Sequence, residues 1–80
     1  MQLKLKDGRV VQGTARQVVS AMRDIAQFSQ AATLGDYVEF VQNNTQTFEG
    51  VTLDVKGETE DDRCSSLVDE LIRNGLAERL

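Results

Sequence analysis

Met1-Gln2-Leu3-Lys4-Leu5-Lys6-Asp7-Gly8-Arg9-Val10-Val11-Gln12-Gly13-Thr14 opens the chain and carries its clearest structural signal. Met1, Leu3 and Leu5 alternate with Gln2, Lys4 and Lys6, the period of a strand with one buried face. Asp7-Gly8 follows, and glycine accepts the positive φ that a tight hairpin turn demands. Residues 9–12 then form the returning strand. A two-residue turn places Val10 on the Leu3/Leu5 face, whereas a three-residue turn with a bulge places Val11 there, and the alternation leaves both registers open. Gly13 ends the hairpin. Thr14 and Gln17 have the spacing of a capping box, in which each side chain satisfies the other residue's backbone N–H.

The helix that Thr14 starts is expected over residues 15–27. Val18, Met22 and Ile25 recur at helical spacing on one side, with Arg16, Ser20, Arg23 and Gln27 on the other. Residues 28–32 read as a connection. Thr33 caps a second helix with Leu34, Val38 and Val41 as its inner stripe, and the weak helix formers Asn43, Asn44, Thr45 and Gln46 predict fraying there. Gly50 restarts the chain. Val51, Leu53 and Val55 alternate with Thr52, Asp54 and Lys56, which reads as a third one-sided strand. Thr59 caps a third helix whose first turn is acidic and whose buried stripe is Cys64, Leu67, Val68 and Leu71. Asp69 and Arg73 are spaced for an ion pair. Asn74-Gly75-Leu76 has the form of a Schellman stop, with Gly75 at positive φ. Residues 76–80 are a short edge strand or a tail.

The expected architecture is one α+β domain over residues 1–80 in the order β-β-α-α-β-α, with a possible final strand. Strands apolar on one face call for two layers: a small mixed sheet covered on one face by three helices. A right-handed crossover would place the third strand beside the first and parallel to it, in the order 2-1-3. Val18, Met22, Val41, Leu53, Leu67 and Leu71 are the expected core.

Composition narrows function by exclusion. The 80 residues are 40% hydrophobic and 28% charged, ordinary values for a folded domain. No apolar run is long enough to cross a membrane, and residues 1–6 lack the apolar segment of a signal peptide, so a cytoplasmic protein is expected. The single cysteine, Cys64, has no disulfide partner in the chain. It falls on an apolar stripe and is expected to be buried and slow to react. There is no histidine, no glycine-rich phosphate loop and no calcium-loop spacing among Glu58, Glu60, Asp61 and Asp62. No catalytic residue, cofactor or metal is therefore expected.

The net charge of −4 is unevenly spread. Residues 1–23 hold Lys4, Lys6, Arg9, Arg16 and Arg23 against Asp7 alone, and residues 24–80 hold four basic and twelve acidic residues. Such an asymmetry can mark a nucleic-acid contact. The second helix, however, carries Asp36 and Glu39 and no cation, so it would repel phosphate as a recognition helix. The two ends are expected to pair within the fold. In layout, with a DG hairpin, a GT helix start and two further capped helices, the chain resembles short bacterial and phage reading frames, a resemblance that brings no site residues with it.

Two functions remain open on the sequence. The first is a non-catalytic protein-interaction module, a homodimer or a subunit of a larger assembly. Its surface would include Tyr37 and Phe40, which flank the buried stripe of the second helix. Phe40 lies about 100° from the centre of that stripe, and either the first helix with Phe28 or another chain must cover it. The second is a nucleic-acid accessory protein using Lys4, Lys6, Arg9, Arg16 and Arg23.

Overall fold

The computed structural model describes residues 1–27 and 33–80. Its elements are β1 (Gln2–Leu5), β2 (Val10–Gln12), α1 (Ala15–Ile25), α2 (Leu34–Glu49), α3 (Glu60–Arg73) and β3 (Ala77–Arg79). Three helices and a small three-stranded sheet make an α+β arrangement, as the alternations and caps predict.

The hairpin adopts the three-residue turn. Leu5 N–H donates to the Arg9 carbonyl at 2.7 Å and Gly8 N–H to the Leu5 carbonyl at 3.0 Å, with Gly8 at φ 93°. Leu3 thus pairs with Val11, which is buried, while Val10 pairs with Lys4 on the outer face and is 50% exposed. All three helices begin at the expected threonines. Thr14 and Gln17 form the full capping box, and Thr33 forms one with Asp36. Thr59 Oγ1 accepts from Asp62 N–H at 3.1 Å. At the end of α3, Leu76 N–H reaches the Leu71 carbonyl at 2.8 Å and Gly75 N–H the Ile72 carbonyl at 3.1 Å, the two bonds of a Schellman motif. Gly75 sits at φ 73°, where a side chain would be strained.

The strand geometry differs from expectation in parallelism. The sheet order is β2-β1-β3, and both pairings are antiparallel. The place beside β1 is taken by the C-terminal strand, which the Schellman turn aims back along β1, with Leu5 opposite Ala77 and Leu3 opposite Arg79. Residues 51–57 keep their expected position in the chain between α2 and α3. Yet among the described residues no backbone–backbone hydrogen bond joins them to the sheet.

Leu3, Val11 and Ala77 turn into a core completed by Val18, Val19, Leu34, Val38, Leu53, Leu67 and Val68. Met22 and Val41 pack against it partly buried. α1 lies on β2, α3 on β3, and α2 packs against both α3 and α1. α1 is shorter than expected, with Gln27 already at φ 55°. α2 is longer. Thr45 is buried and continues the stripe of Leu34, Val38 and Val41, and Lys6 Nζ bridges Glu49 at 3.0 Å. Those tertiary contacts outweigh the poor propensity of the Asn-Asn-Thr stretch. No described helix is long and apolar enough to cross a membrane.

Candidate functional site

The extra turns of α2 change the surface that the helix offers. Tyr37 is only 4% exposed and belongs to the core, where burial raises the pKa of its hydroxyl. Phe40 stacks on it, with centroids 6.1 Å apart and planes at 27°, and is 43% exposed. The two expected surface residues are therefore brought together, but as a buried base and a half-open cap. Phe48, one turn beyond the expected end of α2, is 77% exposed. The opposite flank is polar: Glu39, Gln42, Asn43 and Gln46 line a recess of about 290 Å³ against Thr52 and Leu53. Phe28, the intramolecular candidate for covering Phe40, lies outside the described residues, as does the whole 28–32 connection.

Residues 51–56 cross the helices as an extended strap. Leu53 is 2% exposed, and Val51 and Val55 are half-buried against the core. The strap's polar backbone is met by side chains. Gln42 Nε2 donates to the Leu53 carbonyl at 3.1 Å, Asp54 N–H donates to Glu70 Oε1 at 2.7 Å, and Lys56 N–H to Ser66 Oγ at 2.9 Å. Glu70 also accepts from Arg73 Nε at 2.7 Å and Nη2 at 2.8 Å. Arg73 thus pairs three residues back with Glu70 rather than with Asp69, because Glu70 is the buried acceptor already fixed by the strap; Asp69 instead meets Arg79 at 3.6 Å. The Arg73 guanidinium and then the Asp54 N–H hold the Glu70 carboxyl down at about 2, well below its ordinary 4.5. Its role is structural: each oxygen is occupied by the fold's own donors.

The five basic residues of the N-terminal third do not form one patch. Lys6 bridges Glu49. Arg9 lies 3.4 Å from Asp7. Arg16 reaches Glu60 at 3.1 Å and Asp61 at 3.0 Å. Lys4 stands on the open face of the sheet opposite Val10 and Glu78. Arg23 is half-buried on α1, and its Nε is buried without a hydrogen-bond partner among the described residues. Two of the five thus pair with acids of the later chain, a geometry that supports internal charge pairing.

Cys64 is fully buried on α3, and burial, then the nearby Glu60 charge, raise its thiol pKa. Both effects disfavour the thiolate. Among the described residues no group of three or more His, Cys, Asp or Glu side chains is placed to hold a metal. Sequence reasoning missed Phe48 because its helix was expected to fray earlier; Gly50 at φ 66°, directly after Glu49, is the stop signal that places it on the helix. No family model, curated protein or solved structure was found to match the chain.

Proposed function

We propose that this protein is a non-catalytic, cytoplasmic protein-interaction module or assembly subunit that binds through α2. The observation that supports the reading is the pair of exposed aromatics, Phe40 and Phe48. They stand eight residues apart, about 12 Å along the helix axis at 1.5 Å per residue, a span that one apolar segment of a partner covers. Phe40 is pre-ordered by its stack on buried Tyr37, so little side-chain entropy remains to be lost on binding. Large aromatics at an edge are the residue type that anchors interfaces.

The test uses two variants. Phe48→Ser lies on the surface and should change the unfolding free energy by under about 0.5 kcal/mol. It should nevertheless abolish self-association in light scattering, or the retention of a partner copurified from the native host. Phe40→Lys should do the same while the protein remains folded. Full retention of association by a folded Phe48→Ser protein, or a salt-sensitive complex with duplex DNA in its place, would overturn the proposal.

A further inference from the structure

We propose that the cleft between α1 and the start of α2 binds a small oxyanion, either free phosphate or a phosphate monoester. The cleft has a volume of about 390 Å³ and is lined chiefly by Arg16, Gln17, Ser20, Arg23, Thr33 and Glu60.

The decisive group is Arg23. Its Nε is buried, has no acceptor among the described residues, and its guanidinium makes no ion pair with them. A buried N–H without an acceptor is destabilising, and an ionised one more so, which leaves this side chain with unmet demand for a negative oxygen. Arg16 does not share that state, since Glu60 and Asp61 engage it at 3.1 and 3.0 Å.

The other lining groups also have donors to spare. Gln17 and Ser20 precede Arg23 at successive three-residue steps on α1, which brings them to one side of the helix. Gln17 Oε1 already accepts from Thr14 N–H at 2.9 Å, so its NH₂ is the end with bonding capacity left. Thr33 Oγ1 accepts from Asp36 N–H at 3.1 Å and retains its proton to donate. The only acid among the described lining residues, Glu60, is held by Arg16. A concave site with donors from both helices and a guanidinium that makes no ion pair among the described residues is complementary to an acceptor-rich anion. Phosphate presents oxygens to donors arriving from both helices and matches the planar guanidinium fork. The site is independent of the α2 aromatics.

The experiment is an NMR amide titration of the full chain with inorganic phosphate and, separately, glycerol phosphate, at constant ionic strength with chloride as control. Saturable shifts at Ser20, Arg23 and Thr33 are expected, with binding about tenfold weaker in Arg23→Gln, the loss of one charged hydrogen bond. Ser20→Ala, on the same side of α1, should also weaken binding and serves if Arg23→Gln does not fold. Tighter binding of the monoester would assign an organic phosphate, and tighter binding of the inorganic ion would assign free phosphate. Shifts that never saturate, that chloride reproduces, or that a folded variant leaves unchanged would overturn the proposal.

Discussion

Residues 1–6 and 51–56 are written in the same pattern, yet one becomes the central strand of the sheet and the other a strap across two helices. Both alternate apolar and polar residues, and each buries the middle residue of its apolar set, Leu3 and Leu53. They differ in what meets their backbone. Residues 1–6 run into Asp7-Gly8 and a segment that returns antiparallel within hydrogen-bonding distance. Residues 51–56 run between α2 and α3, where the available partners are side chains. The substitution works because the repeats are commensurate. Two strand residues advance about 6.6 Å and four helical residues about 6.0 Å, so Asp54 and Lys56 fall opposite Glu70 and Ser66. Alternation reports one-sided burial, and it is silent about which groups satisfy the N–H and C=O.

The sharpest way to break the comparison is to cut both apolar anchors. Leu3→Ala and Leu53→Ala should each cost about 2–5 kcal/mol by denaturant unfolding, because both side chains are buried in the same core. A Leu53→Ala cost below about 1 kcal/mol would reduce the strap to a surface loop with no part in the core.

A second effect separates the two segments by pH. Glu70, whose folded pKa of about 2 lies below its ordinary 4.5, stabilises the fold fully above the higher value. That contribution is lost as pH falls through the lower one. Wild-type stability should therefore decline between those values, and Glu70→Gln should be weaker near neutrality but flatter across that window. Hydrogen exchange should show the Asp54 amide losing protection in Glu70→Gln while the β1 amides keep theirs. An unchanged acid profile would mean that the carboxylate does not hold the strap.

The smallest effect is at Ser66. Ser66→Ala removes the acceptor of Lys56 N–H and should cost about 0.5–1.5 kcal/mol, with faster exchange at Lys56 and none of the change at Leu3 or Leu5. Equal acceleration in β1 would show that strap and sheet open as one unit.

What the sequence made legible is whatever short-range chemistry controls. The hairpin, the three threonine caps and the Gly75 stop each depend on a few neighbouring residues, and each forms as expected. Partner choice did not yield to the same reading. Val10 and Val11 are adjacent and equally apolar, so only the turn length at Lys6-Asp7-Gly8 decides which faces the core. β3 has three residues and no distinctive alternation, and its docking on β1 depends on where the Schellman turn aims it. Of the candidate site, the Tyr37/Phe40 flank was visible as a helical stripe too wide for one contact. The inward turn of Tyr37 was not, because it depends on how α2 leans on α1 and α3. Phe48 was hidden by a propensity argument that the buried Thr45 overrides.

The ladder between β1 and β3 ties the two ends of the sequence together, with Leu80 N–H bonded to the Gln2 carbonyl at 3.0 Å. During synthesis β1 and its hairpin emerge before β3 and wait, one edge unpaired, until residues 77–80 follow. Through that interval Gln2 and Lys4 present backbone groups that any other extended chain could claim, and the lysines at positions 4 and 6 discourage such pairing by mutual repulsion between nascent copies. Residues 77–80 thus act as the latch of the sheet: while they are undocked, its central strand is still an edge.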